Sequence, residues 1–112
     1  MRIAIVSDFF LDYVGGAQSS IFEQQASLSE AGHEVFLIAA ARQRGAVREL
    51  RGAGLEVRPS YVVPGVDLPV VSSRRPLIAK LKKYFTEKRI NVIHLQTDFG
   101  LAHAATTAAR EL

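Results

Sequence analysis

Arg2-Ile3-Ala4-Ile5-Val6-Ser7-Asp8 opens the chain, and after a short loop Gly15-Gly16-Ala17-Gln18 begins a helical pattern. An unbroken apolar run such as 3–6 marks a strand buried on both faces, which happens when helices cover both sides of a parallel sheet. The same alternation continues through the chain. Strands are expected over residues 2–6, 34–39, 55–63 and 91–96, and helices over 16–31, 46–53, 74–89 and 99–112. Four units in 112 residues match the ~30 residues of a strand plus its crossover helix. Ala31-Gly32-His33-Glu34-Val35 and Ala53-Gly54-Leu55-Glu56-Val57 repeat one helix-to-strand transition, with Gly ending the helix. The expected fold is α/β, a doubly wound parallel sheet of four strands in order 3-2-1-4. Pro59 supports that order by placing 55–63 at an edge, where a missing N–H is tolerated. Residues 64–76, with three of the four prolines, read as an irregular loop. The last helix carries Leu101, Ala104, Ala105, Ala108 and Leu112 on one stripe and stops without a Gly or Asn cap. A doubly wound sheet would go on to a fifth strand beside the fourth, so the domain is expected to be incomplete.

Composition narrows the class further. With 48% hydrophobic and 22% charged residues, the chain is an ordinary globular domain or part of one. The absence of cysteine excludes a disulfide framework and Cys-ligated metal sites. No apolar run approaches the ~20 residues of a membrane span, and the N-terminus reads as a strand, not a signal peptide. The net charge of +3 is unevenly spread: residues 74–89 hold seven basic residues against one acid, so the remainder is net acidic. That distribution suggests one anionic contact surface and no general coating of nucleic acid. Leu77, Ile78, Leu81, Tyr84 and Phe85 recur at helical spacing and are expected in the core. The cations between them form either a solvated face or a contact for anionic headgroups.

In an open parallel sheet ligands bind beyond the carboxyl ends of the strands where the order reverses, here between strands 1 and 4. Two loops meet there, residues 7–16 and 96–100. Gly15 and Gly16 precede a helix, so the amides of Gly16, Ala17 and Gln18 can point at a phosphate without an intervening side chain. A plain tight turn explains the same pair of glycines. Other phosphate signatures are missing: there is no GxGxxG, no GxxxxGK[ST], and no acid after strand 2 to hold a ribose. GxSxG is absent, and Asp8, Asp12, Asp67 and Asp98 never form an AspxAsp pair, which disfavours a metal-dependent transferase. His33 and His103 read as surface residues, and His94 as a hydrogen-bonded core histidine ahead of a substrate contact. Asp98 either caps the last helix or accepts from a substrate hydroxyl. Asp8 and Asp12 are left as residues that shape the first loop.

These residues resemble a known family. Residues 1–8, the Gly15-Gly16 loop, Gly32-His33-Glu34-Val35 and Asn91-Val92-Ile93-His94-Leu95-Gln96-Thr97 resemble, in that order, the N-terminal domain of the retaining GT-B glycosyltransferases called family 4. The resemblance covers essentially the whole chain. In that family two Rossmann-like domains face each other, the first binding the acceptor and the second the nucleotide sugar, without a metal. The resemblance implies that residues 1–112 are a partial N-terminal Rossmann-like domain. The intact enzyme would transfer a sugar from a nucleotide-diphosphate donor to a hydroxyl acceptor with retention. It implies donor-phosphate contacts at Gly15, Gly16 and Ala17, and acceptor contacts at Tyr13, Gln18, Gln96, Thr97 and Asp98. Members with lipid acceptors often sit on the membrane through a basic surface of this domain. Arg74, Arg75, Lys80, Lys82 and Lys83 are the candidates here, on a cytoplasmic protein peripheral to the inner face of the membrane. Two positions depart from the pattern, Asp12 where a proline is common and Asp98 where proline often follows strand 4. The family's assisting histidine and glutamate pair would lie beyond Leu112, so no catalytic residue is named and the piece alone is not expected to turn over. No cofactor, metal or nucleic acid is implied. The rival expectation is a free-standing flavodoxin-like binding or regulatory module whose partner covers the strand 4 edge.

Overall fold

The computed structural model describes residues 1–10, 16–40, 54–66 and 68–112, the side chains of 16–19 excepted. Its elements are β1 (Arg2–Ser7), α1 (Gly16–Glu30), β2 (Glu34–Ala40), β3 (Gly54–Val57), β4 (Tyr61–Val63), β5 (Leu68–Val70), α2 (Arg75–Glu87), β6 (Val92–Leu95) and α3 (Gly100–Arg110). β1 pairs in parallel with β2 on one side and β6 on the other, and β2 pairs in parallel with β3. The resulting order, β3-β2-β1-β6, is the expected one with β6 as fourth strand, and the fold is Rossmann-like α/β.

Side chains alternate across the sheet, so each central strand serves two cores. Ala4 and Val6 of β1, with Phe36 and Ile38 of β2, join the larger core beneath α2 and α3. Ile3, Ile5, Val35 and Leu37 face the other way and form a smaller cluster with Ile21 of α1. The periodicity of α2 holds, since Ile78, Leu81, Tyr84 and Phe85 are buried, with Leu77 packed at the margin. On α3, Leu101, Ala104, Ala105 and Ala108 are wholly buried, and three alanines on one stripe let the helix lie close to its neighbours. Leu112 lies past the end of α3 and is exposed.

One position shows how close that approach is. A Cβ added to Gly100 would stand 1.5 Å from the Val71 carbonyl oxygen and 2.7 Å from its carbon. Main chain touches main chain there, and the contact fastens residues 71–74, which lead into α2, to the head of α3.

Three expectations are corrected. Residues 55–63 are not one strand, because the ladder stops at Val57, and Arg58-Pro59-Ser60 separates β3 from β4. Pro59 has no N–H to continue the pairing, so the chain turns out of the sheet instead of lining its edge. The stretch 64–76 is not wholly irregular: β5 pairs antiparallel with β4 in the register Val63↔Leu68. Gly65 supplies a positive φ of 84° in the connecting turn. His94 is exposed, not in the core. It lies opposite Ile5 in β6, on the face toward α1, but α1 covers β1 and β2 and leaves Val92 and His94 bare. The short helix expected over 46–53 lies outside the described residues.

Gly100→Ala is expected to cost about 3 kcal/mol or more, because an overpacked backbone contact cannot be relieved by a rotamer change. Gly65→Ala meets no atom within 4 Å and should cost only about 1 kcal/mol, from its positive φ. Urea denaturation of the two variants measures the difference.

Candidate functional site at the strand-order reversal

β1 and β6 end side by side, with Val6 opposite Leu95 and the Gln96 amide donating to the Val6 carbonyl at 2.9 Å. The loops that follow therefore leave from the same edge of the sheet. Phe9 and Phe99, one from each loop, meet with ring centroids 5.7 Å apart.

Beneath them lies a buried carboxylate. Asp8 is 1% exposed, and a buried charge is tolerated only when its oxygens are satisfied. The Leu101 and Ala102 amides donate to its two oxygens at 2.6 and 3.3 Å, and the Thr97 hydroxyl donates at 2.5 Å. The Asp8 amide in turn donates to Thr97 Oγ1 at 2.9 Å. Asp8 is thus the cap of α3, delivered from the end of β1. The residue at the N-cap position, Phe99, has no side-chain oxygen for the task.

The candidate ligand contacts fall into place unevenly around this corner. Tyr13 and Gly15 lie outside the described residues, as does Asp12. Gly16, Ala17 and Gln18 form the first turn of α1, which contains no acid. Gln96 is half-buried and donates from Nε2 to Gln24 Oε1 of α1 at 2.7 Å, tying β6 to that helix. Thr97 has committed its one hydroxyl proton to Asp8. Asp98 is exposed with Oδ1 3.0 Å from His103 Nε2, and it does not cap α3.

The cations of α2 also sort themselves. Glu111, just after α3, is held by Arg75 through two bonds of 2.8 Å and by Lys82 at 3.2 Å. The hydrogen bond from Arg75, then that from Lys82, lowers the Glu111 carboxyl from 4.5 to about 2. Lys83 stands 3.9 Å from Glu87, one helical turn on. Arg74 and Lys80 make no such contact among the described residues. Sequence reasoning missed both the Asp8 cap and this division of charge. A signal for the first was present: an acid at the end of a buried strand, and a helix opening on Phe-Gly without a capping side chain.

The family model described as Glycosyltransferase Family 4 matches residues 14–112. The chain belongs to that family. Across its whole length it is 33% identical to a GDP-mannose-dependent alpha-mannosyltransferase of Mycolicibacterium smegmatis, covering 30% of that protein. It is 31% identical, over 99% of its length, to a subunit of human phosphatidylinositol N-acetylglucosaminyltransferase, covering 23% of that protein. Alpha-monoglucosyldiacylglycerol synthase of Acholeplasma laidlawii is 26% identical over 99% of the chain and is covered to 27%. The chain therefore spans less than a third of the length of these relatives. No solved structure gives a significant match.

Asp8→Ala should lower stability by about 2 kcal/mol or more, since it removes a cap and leaves the α3 amides unpaired. Asp8→Asn, which keeps one acceptor oxygen, should lose less, and thermal unfolding of both ranks them. Because folding depresses the Glu111 pKa, its contribution is complete above 4.5 and fades as pH falls toward about 2. Glu111→Gln is expected to flatten stability against pH in that interval, read from denaturation midpoints.

Proposed function

We propose that the intact protein is a metal-independent transferase that moves a sugar from a nucleotide-diphosphate donor to a hydroxyl acceptor with retention. Residues 1–112 are then part of the acceptor-side domain of a two-domain GT-B enzyme. The observation that carries this reading is electrostatic. Two helices begin at the strand-order reversal, and the N-terminus of α3 is already neutralised by Asp8. That of α1 starts at Gly16 with no acid in its first turn, which leaves it as the end able to attract a diphosphate. Backbone amides at Gly15, Gly16 and Ala17 stabilise the leaving diphosphate, and Tyr13, Gln18, Gln96, Thr97 and Asp98 line the acceptor side. With its hydroxyl given to Asp8, Thr97 takes part only as an acceptor of hydrogen bonds and as a support of the loop.

The relatives' names support a nucleotide-sugar donor and a lipid-linked acceptor. One is GDP-mannose-dependent, and others are named for phosphatidylinositol and diacylglycerol. No helix among the described residues is long and apolar enough to cross a membrane. Peripheral attachment to the inner face of a membrane through the α2 cations belongs to the same reading.

The test is transfer by the intact protein from a panel of GDP- and UDP-sugars to lipid extracts, with the anomeric configuration of the product read by NMR and chelator added in parallel. Retained configuration without loss to chelator is the expected result, and no transfer from any donor would sink the proposal. Gly16→Val should reduce turnover by roughly 100-fold or more, the scale of losing one oxyanion donor.

A further inference from the structure

An open cleft of about 870 Å³ lies away from the strand-order reversal, where β3 ends and α2 begins. Its volume falls within the ~300 to 1,000 Å³ of small-ligand sites. β3 is two strands from β1, about 10 Å across the sheet, and the cleft reaches toward the Asp8 corner through Val71, which meets Gly100. Among the described residues its lining includes Arg58, Arg74 and Lys80, the serines Ser60 and Ser72, and no acid. None of the three cations makes an ion pair or hydrogen bond among the described residues. Each of the other cations on α2 that belongs to the candidate membrane surface is engaged: Arg75 and Lys82 with Glu111, and Lys83 near Glu87.

The walls are held in place. Ser60 donates its amide to the Val70 carbonyl at 2.7 Å and its hydroxyl to Ser72 Oγ at 2.8 Å. The Ser72 proton is then free to donate to an oxygen in the cleft. The Gly100–Val71 contact fixes the neighbouring main chain against α3. Arg74, at the N-cap of α2, gives that helix no side-chain cap, and the first turn contains no acid.

We propose that this cleft seats a phosphate group, held by Arg58 and Arg74 as paired forks, with Lys80 and the Ser72 hydroxyl completing the set. Three positive charges lining one cleft exceed what one carboxylate would neutralise, and guanidinium forks match phosphate oxygens two at a time. Assigning the phosphate to the acceptor rests on the transferase reading above; the seat itself does not. The group arrives either on a lipid headgroup or on a soluble ester, and the two sources are separable.

The intact protein is titrated with inorganic phosphate by calorimetry, and in parallel floated with phosphatidylcholine vesicles with and without phosphatidylinositol. Arg58→Gln, Arg74→Gln and Lys80→Gln replace exposed side chains without internal partners, so unfolding should be unaffected. Arg110→Gln, on the far end of α3, is the charge control. Saturable phosphate binding that weakens about tenfold with each arginine change, and not with Arg110→Gln, supports the seat. Binding to phosphatidylinositol vesicles alone, with the same arginine dependence, supports it and assigns the source to lipid. Binding that ignores Arg58 and Arg74, or that Arg110→Gln weakens equally, overturns it as diffuse attraction. Loss of sugar transfer with arginine-dependent phosphate binding intact would remove the transferase reading and leave the seat.

Discussion

The structure depends on the buried carboxylate of Asp8. A charge at the end of the central strand would cost several kcal/mol if left alone. It is stable because the head of α3 presents two unpaired amides and Thr97 presents a hydroxyl. Those donors come from residues about ninety positions further along the chain, so one side chain registers the β1 loop, the β6 loop and α3 against each other. From α3 the constraint passes on through Gly100, whose bare Cα admits the main chain of residue 71 and so sets the start of α2. The corner and the cleft are two ends of one rigid sequence of contacts.

The same carboxylate neutralises one of the helix heads at this edge. Helices that start at one edge of a sheet each bring a partial positive charge, and here that of α3 is spent internally. The heads of α1 and α2, whose first turns carry no acid, keep theirs. The division of labour follows from which helix receives the acid of β1.

Much of the architecture was legible in the sequence because it rests on short-range pattern. The apolar runs in β1 and β2, the helical stripes of α2 and α3, and the glycine at the α1–β2 turn each announce themselves within a dozen residues. The order of strands followed from chain economy and crossover rules. What failed was non-local. Leu55-Glu56-Val57 and Tyr61-Val62-Val63 read as one strand unless Pro59 is taken as a break, and the pairing of β4 with β5 is a competition between partners that no local pattern reveals. His94 reads as a core histidine from its place within a strand, yet coverage of that strand depends on where α1 lies. The partners of Asp8 sit on the other side of the molecule in sequence, and nothing near Asp8 names them. On α2 the count of cations was plain, but which of them were already neutralised depended chiefly on Glu111, which lies just past the end of a different helix.

The β4–β5 hairpin ends in an exposed turn at residues 64–66, while its base is bolted at Ser60, Ser72 and the Gly100 contact. An experimenter wishing to attach a fluorophore, an affinity handle or a crosslinker beside the cleft thus has a natural perch. Cargo grafted at the tip would report on events at the cleft mouth, while a single methyl group at the bolt would disturb the entire wall.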